Sequence, residues 1–248
     1  MRTLEEHLQP GEIPLWRQPE WVERFPWLVQ ATTGAPADLG LAGAQPVGET
    51  LDRWRALRRL LGVPSAIHSR QVHGSDLLET GSPLPPGLLV TEGFDGHITD
   101  RAGAALTVAV ADCVPVFLVD PSHRAVAMVH AGWRGVAAGI VEAAVARLGS
   151  RFGARPGDLW AHAGPAICGA CYEVGPEVHR AVWPDREAPA GPTPIDLREA
   201  IGARLARLGL ADARISRSAY CTRCGPGEFF SHRSGSAARQ MGVIARLA

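Results

Sequence analysis

The stretch 111–134, ADCVPVFLVDPSHRAVAMVHAGWR, constrains the fold more than any other part of the chain. Two apolar runs rich in β-branched residues, 114–119 and 125–129, flank the turn-forming segment Asp120-Pro121-Ser122-His123-Arg124. Runs of strand length around a Pro/Asp turn predict a β-hairpin. Cys113 stands at the start of the first strand and His130 at the end of the second. With an even-numbered loop, both side chains project from one sheet face, about one pairing step apart. Two soft metal ligands, or a thiol and a base, would then meet at one end of the hairpin. The plain alternative is a buried cysteine beside a tight turn.

The sequence leaves His130 through Ala131-Gly132-Trp133-Arg134-Gly135 and enters VAAGIVEAAVARLGS. Val136, Ile140, Val141, Ala144 and Leu148 keep helical spacing, which predicts a helix over 136–148 with Gly149 just past its end. A Gly-rich strand-to-helix turn carrying Arg134 is a favourable place to hold an anion.

With 248 residues, 46% of them hydrophobic, the chain is expected to form one domain spanning 1–248. Twenty-five basic and 25 acidic residues give a formal net charge of zero, which argues against nucleic-acid binding through phosphate neutralisation. All the basic residues are arginines, a mark of genomic composition bias. No apolar run is long enough to span a bilayer, and MRTLEEHLQPGEIPLW lacks the apolar core of a secretory signal. Five cysteines, an odd number, fit a reduced, cytoplasmic protein whose thiols are ligands, nucleophiles or core residues. A monomer without membrane or nucleic-acid partners is expected.

Taken in order, residues 1–47 favour short strands and loops. Leu51, Trp54, Leu57, Leu60 and Leu61 form one stripe of a helix over 50–61, with Thr50 as N-cap and Gly62 as stop. Strands are predicted at 65–74, 94–99 and 104–110, the last apolar enough to be central, with a Pro/Gly-rich loop at 82–88. A short strand at 158–163, a helix at 196–208 ended by Gly209, and late strands at 214–219 and 242–245 complete the pattern. No internal repeat or linker interrupts it.

Cys113 and His130 form the strongest chemical cluster, and His73, in the Gln-Val-His-Gly turn, is the histidine that stands out as a third member. Two imidazoles and a thiolate with an open fourth position are the ligand set of catalytic zinc. The pairs Cys168-x-x-Cys171 and Cys221-x-x-Cys224 offer a separate four-thiolate possibility, with independent loop cysteines as its alternative. Asp112, Glu173 and Glu228 are candidate acid/base groups.

QVHG (71–74), FDGHIT (94–99), ADCVPVFLVD (111–120), HAGWRG (130–135), GPAICGACYEVG (164–175), CTRC (221–224), FFSHR (229–233) and RQMGVI (239–244) together resemble the YfiH family. Members of that family carry the names laccase-domain or polyphenol oxidase protein and, more recently, purine nucleoside phosphorylase. The resemblance covers roughly residues 65–244. It implies a single-domain α/β fold of four layers, α/β/β/α, shared with a toxin deamidase domain that uses a Cys-His pair. It also implies a zinc site made by His73, Cys113 and His130. The N-terminal part departs from the family: where an Asn-Arg pair is usual, this chain has Asp52-Arg53-Trp54, preceded by ATTGAPADLGLAG.

The activity implied is zinc-dependent purine nucleoside phosphorolysis of adenosine, inosine, guanosine or S-methyl-5′-thioadenosine, with adenosine deaminase activity. Cys113, His130, His73 and Arg134 are then the expected catalytic residues. Arg134 and Arg233 are the candidates for holding phosphate, and Tyr172 or Phe229 for stacking on the purine. The older family name implies a copper-dependent polyphenol oxidase instead. A laccase consumes about ten histidines, whereas this chain has nine, with no His-x-His pair. Copper in the His/His/Cys site would be adventitious or an alternative metal. A third expectation is a thiol hydrolase or deamidase with Cys113 as nucleophile and His130 as base.

Overall fold

The computed structural model describes residues 1–43, 45–81 and 84–248. The chain opens with β1 (Arg2–Leu4), β2 (His7–Gln9), β3 (Leu15–Arg17), α1 (Pro19–Arg24), β4 (Leu28–Thr33) and α2 (Val47–Leu61). Next come β5 (Ser65–Arg70), β6 (Leu77–Glu79), β7 (Gly87–Glu92), β8 (Gly96–Thr99) and β9 (Ala104–Val110). The hairpin β10 (Val114–Asp120) and β11 (Ala125–Ala131) runs into α3 (Trp133–Ala137) and α4 (Ile140–Phe152). The last third holds β12 (Trp160–Ala163), β13 (Glu173–Val174), α5 (Pro176–Val182), β14 (Thr193–Pro194), α6 (Leu197–Arg207), β15 (Ile215–Ser218) and β16 (Gln240–Arg246).

Two seven-stranded mixed sheets result. One runs β1-β15-β12-β10-β11-β8-β6 and the other β2-β3-β4-β16-β9-β5-β7. In the first, Val116, Leu118, Ala127 and Val129 face helices α4 and α6, packing on Ile140, Ala144, Leu148 and Ile201. Their strand neighbours Phe117, Val119, Val126 and Met128 face the other way and meet Ile67, Leu106, Val108 and Ile244 of the second sheet. The far face of that sheet, with Ala31, Ala66, Ala105 and Val243, is covered by Trp54, Leu57 and Leu61 of α2. The order is therefore α/β/β/α. Buried on both faces, the central strands read as unbroken apolar runs because neither side meets water. Fully burying a side chain such as Phe117 or Leu106 is worth about 1.5–3 kcal/mol. The sheets approach so closely that a Cβ on Gly242 would lie 2.7 Å from Pro115 and 2.9 Å from Met128.

The hairpin forms as the sequence predicts, but Asp120 pairs with Ala125, so the connection has four residues rather than the five of 120–124, and Pro115 stands opposite His130. Elsewhere the boundaries move for identifiable reasons. The helix expected at 136–148 is two helices, because Gly139 is left-handed (φ 82) between α3 and α4, and it ends at left-handed Gly153 rather than Gly149. Helix α2 starts at Val47, following Pro46, so Thr50 lies inside it and Gly62 caps it as expected. The strand expected over 65–74 stops at Arg70. From there the Gln71 side chain replaces the backbone ladder, accepting from Ala109 N (2.8 Å) and donating to Ala109 O (2.9 Å). In the loop expected at 82–88, residues 82 and 83 lie outside the described residues, and strand begins already at Gly87. Strand β7 itself, beside β5, went unanticipated.

Candidate active site and metal centre

The end of the hairpin carries the chemistry. Cys113 precedes β10 by one residue, so continuing the register places it opposite Gly132, diagonal to His130. A Cβ on Gly132 would lie 3.0 Å from Cys113 Sγ and 3.2 Å from the His73 ring. Only glycine leaves the space between these groups open.

His73 reaches the cluster from the turn after β5, in a left-handed conformation (φ 61). That strained turn is held by one buried carboxylate. The N–H groups of Val72, His73 and Gly74 donate to Asp95 at 3.1, 2.9 and 2.8 Å. Asp95 also accepts from His130 Nδ1 at 2.8 Å, and its own carbonyl accepts from His130 N at 2.7 Å. Against burial, which would raise it, these bonds hold the Asp95 carboxyl below its usual range. An ionised carboxylate only accepts, so His130 Nδ1 carries a proton and Nε2 is the nitrogen that faces the cluster.

One ligand atom each from His73, Cys113 and His130 lies within 4.8 Å of the other two. Burial opposes charge on both Cys113 and His130, but their mutual attraction wins. The Cys113 thiol falls to about 6, helped by His73, and the His130 imidazole rises to about 9, helped by Asp95. A thiolate, two imidazoles, a carboxylate orienting one of them and an open space between fit a zinc ion with three protein ligands.

Behind Cys113, Asp112 is also left-handed (φ 83). Thr222 Oγ1 and the Arg233 N–H both donate to its carboxylate at 2.6 Å, and Ile167 N donates to its carbonyl at 3.1 Å. Asp112 is thus a fixed anchor in this arrangement rather than a free acid or base.

A cavity of about 550 Å³ opens beside the cluster. Cys113, His73 and His130 line it, together with the 40–43 turn, His68, Gln71, His232 and Arg239. His68 Nδ1 lies 3.1 Å from Thr107 Oγ1, whose hydroxyl donates to Ile67 O at 2.8 Å. The hydroxyl must then accept from Nδ1–H, leaving His68 Nε2 as an acceptor. Burial pushes the His68 imidazole down to about 4, so it is neutral at pH 7. The divergent N-terminal segment shares in this wall: Asp38 Oδ1 accepts from Gly40 N and Arg239 N, each at 2.9 Å.

The other expected site residues lie outside that lining. Tyr172 is half-buried, its hydroxyl pushed up to about 12 by burial and then by Cys113, against Arg233 and Arg134. Both arginine charges therefore act on the Tyr172 hydroxyl. The Arg233 guanidinium stacks 5.1 Å from the Tyr172 ring and donates to Glu173 O at 3.3 and 3.4 Å. Arg134 is exposed, its guanidinium 4.4 Å from the Trp133 ring and without a side-chain hydrogen bond or ion pair among the described residues. Its helix has only five residues, so any pull on an anion there would come from the positive charge itself and not from a long helix dipole. Phe229 is buried against Trp16 (5.3 Å) and Tyr220 (6.1 Å), so its side chain belongs to an aromatic core cluster. Glu173 and Glu228 are not in the three-residue cluster. Asp95, His68, Gln71 and Arg239 are site residues that spacing alone does not single out, although Asp95, Gln71 and Arg239 lie within the FDGHIT, QVHG and RQMGVI segments.

A family model described as multi-copper polyphenol oxidoreductase laccase matches residues 38–247. The chain is 33% identical to "Purine nucleoside phosphorylase YlmD" of Geobacillus stearothermophilus, over 86% of this chain and 84% of that protein. It is 34% identical to "Adenosine deaminase RL5" of an unknown prokaryotic organism, over 86% and 89%. The crystal structure of the Geobacillus YlmD superposes with a TM-score of 0.87 at 28% identity, covering 98% of this chain and 100% of that one. Fold, motifs and matched length agree, and the chain belongs to the laccase-like YfiH family.

Proposed function

We propose that the chain is a zinc-dependent purine nucleoside phosphorylase with adenosine deaminase activity, acting on adenosine, inosine, guanosine or S-methyl-5′-thioadenosine. The observation that carries this reading is the His73/Cys113/His130 cluster opening on a cavity large enough for a nucleoside. The names of the relatives supply the substrate class.

A zinc ion held by His73, Cys113 and His130 would supply Lewis acidity that activates water at neutral pH. The chain's own residues do the rest. Asp95 holds His130 in the required tautomer and pins the His73 turn. Neutral His68 presents an acceptor to the cavity and suits a purine or ribose N–H or O–H donor. Protonated Tyr172 can donate to an anion, and Arg134 and Arg233 beside it supply the charge to hold phosphate.

Adenosine assayed with and without phosphate tests this. Adenine and ribose 1-phosphate are expected only with phosphate, and inosine in both cases. Arg134→Ala should raise the apparent KM for phosphate about ten- to a hundredfold, the loss of one charge-assisted contact worth ~1.5–3 kcal/mol, with less effect on deamination. Equal damage to both reactions would remove Arg134 as the phosphate ligand in favour of Arg233.

The low-lying Cys113 thiol favours a second reading, a thiol hydrolase with His130 as base. Stoichiometric zinc that protects Cys113 from alkylation excludes it; a metal-free, alkylable and active protein establishes it. The copper oxidase is disfavoured by ligands, since among the described residues the other metal-capable group is all cysteine and no histidine cluster could hold a trinuclear centre.

A further inference from the structure

Away from the nucleoside site, Cys168, Cys171, Cys221 and Cys224 converge although 49 residues separate the two pairs. Their four Sγ atoms all lie within 4.8 Å of one another, and Cys168 and Cys224 are 3.9 Å apart. Zinc–sulfur bonds of ~2.3 Å in a tetrahedron require sulfur separations of about 3.8 Å. No pair is joined as a disulfide.

The backbone is arranged for anionic sulfur. The N–H groups of Cys168, Arg223 and Cys224 point at Cys221 Sγ at 3.3, 3.4 and 3.5 Å. Three donors on one sulfur stabilise a thiolate, and crowded thiolates repel unless a cation lies between them. The donor set is all sulfur and leaves no position for a substrate, which is the pattern of structural rather than catalytic zinc.

The neighbouring bonds lead straight to the first cluster. Thr222, adjacent to Cys221, holds the Asp112 carboxylate, and Ile167, adjacent to Cys168, holds its carbonyl. Thr222 N donates to Ala166 O at 3.1 Å, and the Arg223 guanidinium donates to Cys171 O at 3.2 Å. The two cysteine loops are therefore the two hands that hold Asp112, directly behind Cys113.

We propose that Cys168, Cys171, Cys221 and Cys224 bind a second, structural zinc ion that clamps these loops together and fixes Asp112 behind Cys113. Binding displaces the thiol protons that remain and changes no oxidation state.

The test is metal counting on the full chain carrying His73→Ala, Cys113→Ala and His130→Ala together, which reads this site with the first cluster removed. That protein should retain about one zinc where the wild type holds about two. Replacing its zinc with cobalt should give the intense thiolate charge-transfer absorption of a tetrahedral four-sulfur site. Adding Cys168→Ser and Cys224→Ser should abolish both signals. A folded triple variant without zinc, or one whose mass shows a disulfide among these cysteines after purification under reducing conditions, overturns the proposal. Should the triple variant not fold, Cys224→Ser alone decides: zinc falling from about two to about one supports the site, and unchanged zinc overturns it. Failure of the nucleoside activity would leave these counts untouched.

Discussion

The two cysteine-bearing clusters differ in nearly every physical respect. One mixes two imidazoles with a thiolate, draws on three separate segments and opens on a cavity of about 550 Å³. The other is four sulfurs from two short loops, packed by backbone N–H groups. At the open cluster a buried carboxylate, Asp95, orients a ligand and pins a left-handed turn. At the closed cluster the main chain alone does the orienting. An open site needs its ligands aimed while leaving room for substrate, so it recruits a charged group behind them. A closed one needs only mutual proximity.

The largest expected effect falls on the open cluster. Cys113→Ala or His130→Ala should remove its metal and nucleoside turnover together, measured by metal analysis and product assay. Retention of zinc at the cluster in Cys113→Ala, read with the four other cysteines replaced by serine, would sink the proposed ligand set.

Asp95→Asn tests the difference in support. An amide can accept from His130 but loses the charge and the symmetric acceptors that gather three N–H groups. Metal affinity or activity should drop ~10–100-fold with the fold retained, as for other partners of metal-bound histidines. A variant with unchanged zinc affinity would show that the His73 turn orients itself.

The smallest effect separates the cavity wall from the cluster. His68 is pushed down to about 4 by burial, below the ~6.5 of an unfolded histidine. Below that value the unfolded chain binds the proton and the folded chain resists it. The stability associated with neutral His68 is therefore present above pH ~6.5 and is lost as pH falls toward 4. His130 carries the opposite sign in the metal-free protein: raised to about 9, it stabilises below pH ~6.5 and ceases to as pH rises through 9. His68→Leu should flatten the acid decline in Tm, by about 5 °C at pH 5, and leave the alkaline side unchanged. An identical acid profile in the variant would mean His68 does not report on the fold.

The sequence by itself determined the hairpin and which residues stand at its open end; Cys113 meets His130 because the structure pairs Asp120 with Ala125 and so closes an even loop of four residues. The sequence also placed a helix over 196–208, and the structure has α6 at Leu197–Arg207 with Asp196 as its N-cap, the side chain accepting from Arg198 N, since helix starts are a local matter. Only the tertiary structure decided that Asp95 lies beneath both histidines, that Gln71 turns the chain out of β5, and that His68 looks into the cavity. Each of these depends on contacts between segments distant along the chain or on a bond from one side chain to another strand's backbone. Phe229 shows the limit from the other side: an aromatic residue in a motif can as well fill a core as face a ligand, and Trp16 and Tyr220, far apart in sequence, claim it. The two Cys-x-x-Cys pairs lay open to either reading for the same reason. Spacing within a pair is local, but whether two pairs meet depends on how the sheets and loops close around them.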